Sequence, residues 1–168
     1  MSSLIKPLIL VIVISLLLIP AIACSDDSDG ESPEVSEWQE LTAFTSEELL
    51  APVRVPEEQF YSPWFRERPL VHTFDFITDE DWRFVLTATG DIDTRIEVYI
   101  TATSTGGEGG STGSGQNYAL SSETLTVTKK PYLMGIEDLT PPRNFEVKIS
   151  FESPINWTFK VEKSVMDS

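Results

Sequence analysis

Phe145-Glu146-Val147-Lys148-Ile149-Ser150-Phe151, then Glu152-Ser153-Pro154, then Ile155-Asn156-Trp157-Thr158-Phe159-Lys160-Val161: this stretch decides the fold. Apolar and polar residues alternate without a break through both runs. An extended chain sends successive side chains to opposite faces, so a period of two marks a strand with one dry and one wet face. Ser153-Pro154 interrupts the pattern as a turn. The two runs are therefore expected to close the chain as a terminal hairpin.

The same period recurs upstream. His72, Phe74 and Phe76 alternate with Thr73 and Asp75, and Trp82, Phe84, Leu86 and Ala88 with Arg83, Val85 and Thr87. Ile92, Ile96, Val98 and Ile100 are expected on one face of a further strand, opposite Asp93, Arg95, Glu97 and Thr101. Leu125 and Val127 alternate with threonines, and Trp38 to Phe44 can pair as a first strand. Asp79-Glu80-Asp81 and Gly90-Asp91 read as turns, and Pro141-Pro142 forces another. Thr45 with Glu48 three residues on has the pattern of a capping box, which predicts a short helix before Pro52. Ser104 to Asn117 is almost entirely Gly, Ser and Thr, and is expected to be a long mobile hairpin loop. Short amphipathic strands with almost no helix must bury their apolar faces against each other. The expected fold is all-β, an antiparallel β-sandwich over residues 38–168.

The closing strand pair, with Trp157 in it, is similar to the ends of secreted bacterial β-sandwich domains, including pre-peptidase C-terminal-type and jelly-roll modules. That resemblance implies a jelly-roll-like sandwich and carries over no functional residue.

Leu8 to Ile19 is an apolar run broken only by Ser15, with Lys6 ahead of it and Pro20 behind. Ala21 and Ala23 flank Ile22 just before Cys24, the cysteine of the chain. A basic start, an apolar core and small residues at a cleavage point are the three parts of a secretory signal. An uncleaved transmembrane anchor is the alternative for so long an apolar run. Ala21-Ile22-Ala23-Cys24 resembles the lipobox of bacterial lipoproteins, with Ala21 standing where that family most often has Leu. The resemblance implies that residues 1–23 are a cleaved signal peptide and that Cys24 carries acyl chains of the palmitate type. Residues 24–37 would then be a flexible acidic tether, holding the sandwich to a membrane in the cell envelope.

The chain carries 27 acidic against 12 basic side chains, a net charge of -15. Such a surface repels phosphate backbones, and no basic stripe offsets it, so nucleic acid is excluded as a partner. A single cysteine forms no internal disulfide. His72 is the one histidine, in phase with Phe74 and Phe76, and is expected to be structural. One histidine and a lipid-bearing cysteine do not assemble a zinc site. No Gly-x-Ser-x-Gly nucleophile motif occurs, so catalytic residues are expected to be none and the protein not an enzyme. No resident cofactor is expected. Calcium is the one metal considered, at the turn acids Asp79, Glu80 and Asp81, because hard cations take oxygen ligands from loops.

Phe60, Tyr61, Trp64 and Phe65 crowd a proline-rich segment with Arg66 and Arg68. Exposed aromatic rings stack on sugars, and arginines hold acidic groups beside them. Tyr61, Trp64, Phe65 and Arg66 are therefore the candidate ligand-binding residues, with the alternative that the segment folds back over the sandwich. The expected function is a non-enzymatic, membrane-anchored module that binds an envelope or secreted protein. The alternative is a surface module for carbohydrate or a calcium-dependent ligand.

Overall fold

The structure, a computed structural model, describes residues 37–105 and 110–165. The signal segment, Cys24 and the tether as far as residue 36 lie outside the described residues. Nine strands run in the order β1 (Glu37–Thr45), β2 (Val53–Arg54), β3 (Leu70–Thr78), β4 (Trp82–Gly90), β5 (Thr94–Ser104), β6 (Ser111–Leu120), β7 (Thr124–Lys129), β8 (Arg143–Phe151) and β9 (Ile155–Val165). They form a four-stranded sheet, β1-β9-β4-β7, and a five-stranded sheet, β2-β3-β8-β5-β6. Every pairing is antiparallel. No helix of the described residues is long and apolar enough to cross a membrane.

The inward face of each strand is the one the alternation marks. Phe74 and Phe76 of β3, Phe84 and Leu86 of β4, Ile96 to Ala102 of β5, Phe145 to Phe151 of β8 and Trp157 to Val161 of β9 are buried in one core. Rings bridge the two sheets. Phe44 of β1 stacks on Phe74 of β3 at 4.3 Å, and Phe74 meets Phe159 of β9 edge-on at 5.3 Å. At the other end Phe76, Trp82 and Phe145 pack together at 4.8 to 5.3 Å. Such ring pairs add to the area they bury, through edge-to-face and stacked quadrupole contacts.

Four expectations are corrected. The closing runs are not a hairpin: β8 lies between β3 and β5, whereas β9 lies between β1 and β4 in the other sheet. Glu152-Ser153-Pro154 is an arch across the sandwich, with Phe151 and Ile155 both facing the core from opposite sides. Alternation cannot separate the two solutions, because hairpin and arch bury the same side chains. Secondly, Thr45 to Leu50 is a turn rather than a helix. The capping-box bonds do form, with the Glu48 N–H donating to Thr45 Oγ1 (3.3 Å) and the Thr45 hydroxyl donating to Glu48 Oε2 (2.9 Å). Too few residues stand before Pro52 to repay helix nucleation, and the Ser46 N–H bonds the Trp157 carbonyl instead. Thirdly, much of the Gly/Ser/Thr segment 104–117 is strand: β6 pairs with β5 from Thr103↔Ser111 to Thr94↔Leu120. Tyr99 makes this possible. A Cβ on Gly113 or Gly115 would fall 2.6 Å from the Tyr99 hydroxyl or 3.2 Å from its Cδ2, so the ring lies across the two glycines and replaces their missing side chains. Lastly, Ile92 sits before β5 begins and is 58% exposed; Thr94 takes the buried position.

Candidate functional site

The segment joining β2 to β3 is the sequence-predicted ligand loop, and packing divides its residues. Ser62 Oγ accepts the N–H groups of Trp64 (3.2 Å) and Phe65 (3.4 Å), a side-chain turn that points both rings inward. Phe65 is buried at 6% exposure. Trp64 is half-buried beneath Arg95 of β5, whose guanidinium lies 5.0 Å from its ring centroid and donates to its carbonyl. Trp64 thus lies against Arg95 of β5, and Phe65 is withdrawn from solvent. Tyr61 stays 97% exposed, and Arg66 is also exposed. The loop is pinned from the β8–β9 arch: Glu152 Oε1 accepts the N–H groups of Arg66 and Glu67.

Two depressions flank β2, because neighbouring residues of a strand point opposite ways. Arg54 lines a polar cleft of about 580 Å³ together with Phe60, Arg66, Arg68, Glu57 and Glu67. Val53 lines an apolar groove of about 440 Å³ with Leu49, Leu50, Val55 and Val71, and with His72 among its walls. Leu50 is 92% and Val53 69% exposed, an unusual outlay of apolar surface beside an otherwise well-filled core. β2 pairs with β3 only at Val53↔Val71 and Arg54↔Leu70. From His72 to Thr78 that side of β3 therefore has no partner strand among the described residues.

His72 is buried, in phase with Phe74, and its ring meets Trp157 edge-on at 5.2 Å and Phe151 at 5.7 Å. Burial pulls its imidazole below the ordinary value of 6.5, against a smaller upward pull from its hydrogen bond with the Leu50 backbone. The turn acids are engaged elsewhere: Glu80 with Lys163 at 3.0 Å, and Asp81 with Lys130 at 3.7 Å. Asp79 stands exposed beside them. Among the described residues no three acidic, histidine or cysteine side chains converge on a point where a metal ion would sit. The second acidic turn, with Asp91 and Asp93, is separated from the first by the whole of β4.

A third depression, of about 390 Å³, lies on the four-stranded sheet and is walled by hydroxyls of Thr45, Ser46, Thr87, Thr89 and Thr158 beside Asn156. Two features of these surfaces were missed in the sequence. Arg54 lies 14 residues from Arg68 in the chain, and only the β2–β3 pairing puts them together. The groove draws on turn, strand and loop residues that share no period. The run Leu49-Leu50-Ala51 followed by Val53 and Val55 was its one visible sign: apolar residues in a stretch too broken by proline to be core. No protein-family model matches this chain, and no curated protein or solved structure matches it either.

Proposed function

We propose that this protein is an exported lipoprotein, held to an envelope membrane through Cys24, whose jelly-roll sandwich binds another protein without catalysing a reaction. The winding supports the jelly-roll assignment. Among the eight long strands only β5 and β6 follow each other within one sheet, and the orders β1-β9-β4-β7 and β3-β8-β5-β6 are those of two interlocked Greek keys. The lipobox resemblance at residues 21–24 supports the anchor.

The observation that carries the protein-binding reading is the apolar groove lying against the unpaired edge of β3. An open edge offers a row of backbone donors and acceptors, and the groove beside it offers pockets for alternate side chains. Together they suit an extended apolar segment of a partner, added to β3 as a further strand. The net charge of -15 favours a basic partner and speeds its encounter.

The test is photocrosslinking in intact cells from position 73, on β3 beside the groove, with position 132 as a remote control. A discrete adduct from position 73 that disappears in the pair Leu50→Glu and Val53→Glu is expected. Equal adducts from both positions, or an adduct indifferent to the charged pair, overturn the reading. Separately, the lipid on Cys24 is tested directly. Labelling with a palmitate analogue should mark the native chain and not Cys24→Ser, and an unlabelled native chain would reject lipid anchoring.

A further inference from the structure

Basic side chains are scarce in this chain, and nearly all of those described are occupied. Arg83, Lys130, Lys148, Lys160 and Lys163 each hold a carboxylate. Arg95 and Lys129 lie over the rings of Trp64 and Tyr118, and Arg143 Nε donates to the Leu139 carbonyl at 3.2 Å. The remaining described ones are Arg54, Arg66 and Arg68, and all three line the polar cleft. Arg54 donates to the Arg68 carbonyl; the guanidiniums of Arg66 and Arg68 have no partner among the described residues. Arg95, Lys129 and Arg143 also hold no carboxylate, but each has a ring or carbonyl partner of its own, whereas Arg54, Arg66 and Arg68 share one cleft. Glu152, the acid that reaches this loop, is held by backbone N–H groups and not by the arginines. Glu57 and Glu67 line the same cleft without coming within ion-pair distance of the three.

We propose that this cleft binds an acidic sugar, a uronate residue of a glycan. Its carboxylate would be taken by the arginine forks, whose planar donors match a carboxylate two bonds at a time. The C–H face of the sugar ring would lie against Phe60, the aromatic side chain of the cleft lining. The two glutamates select among anions. They repel a compact dianion such as phosphate, but they accept the hydroxyl protons that a uronate presents around its ring. At about 0.15 M salt the screening length is about 8 Å, so the field a short oligomer meets is set mainly by the cleft lining, where three guanidiniums stand against two carboxylates. The cleft is distinct from the apolar groove, and the proposal does not depend on a protein partner.

The test is titration calorimetry of the full chain in detergent micelles at 0.15 M salt. The probes are trimers of galacturonate, glucuronate and mannuronate, a neutral galactose trimer, and inorganic phosphate. Saturable binding of a uronate trimer is expected, with no binding of the neutral trimer. The double change Arg66→Gln and Arg68→Gln should weaken it about tenfold or more, the scale of lost charge-assisted hydrogen bonds. Both side chains are exposed, and an unchanged circular dichroism spectrum will show that the fold is kept. No uronate binding, equal binding of the neutral trimer, phosphate binding as tight as the uronate, or indifference to the double change each overturns the proposal.

Discussion

His72 shows how one residue can be correctly anticipated and still gain meaning from its surroundings. Its phase with Phe74 and Phe76 marks it as inward-facing, and it is 4% exposed. Because burial depresses its folded-state value below 6.5, the unfolded chain takes up the proton first on acidification. The stability it contributes is complete above the unfolded value and is lost as pH falls below about 6.5 toward the folded one. Glu97 works in the other direction: burial raises its carboxyl above 4.5, so it lowers stability as pH rises through that region. The two act with opposite sign, and the contribution of His72 is best seen by exchange. His72→Phe should make unfolding free energy fall less steeply between pH 7 and pH 5 than in the native chain, read from urea denaturation at several pH values. Identical slopes would mean that the imidazole titrates alike in both states. The candidate ligand residues were less legible at this scale. Tyr61 and Phe65 are four residues apart and chemically alike, yet one is free and the other is core, because Ser62 turns the backbone between them.

At the scale of elements, strand positions were readable because the period of two survives wherever one face is buried. Partners were not. The β8–β9 arch and the β3–β4 crossing have the spacing of hairpins, but their strands pair in opposite sheets. Close approach at these crossings puts demands on single residues. Gly90 ends β4 opposite Ile155, where a Cβ would stand 2.7 Å from Ile155 Cγ2 and 3.3 Å from its Cα. The backbone contact leaves no flexible atom to give way. Gly90→Ala should therefore destabilise the domain by about 1–3 kcal/mol, the usual cost of overpacking, measured as a lower denaturant midpoint at unchanged slope. A neutral result would show that the start of β9 can shift. β6 is the converse case. Its Gly- and Ser-rich composition suggested a loop, yet it pairs along ten residues because Tyr99, on the neighbouring strand, supplies the side-chain cover.

For the whole molecule, charge is the property most directly fixed by composition. Residues 38–168 carry 21 acidic against 11 basic side chains, and that net charge of -10 repels itself; salt relieves the repulsion as the screening length shrinks from about 30 Å at 0.01 M to about 8 Å at 0.15 M. The surface ion pairs, such as Lys160 with Glu40 at 3.0 Å and Lys163 with Glu80 at 3.0 Å, lose strength over the same range but are exposed and weak. The thermal midpoint should therefore rise with salt across that range in calorimetric scans. A falling midpoint would mean that the pairs outweigh the net repulsion. By itself the sequence determined the all-β class, the inward face of most strands and the charge. Each is written in local order or in composition, where period, propensity and residue counts act without reference to distant parts of the chain. Only the tertiary structure decided which strands share a sheet, that the closing runs arch across the core, and that Arg54 joins Arg66 and Arg68 around one cleft. Those outcomes depend on contacts between residues far apart in sequence, and alternation is silent about them because several pairings bury the same side chains equally well.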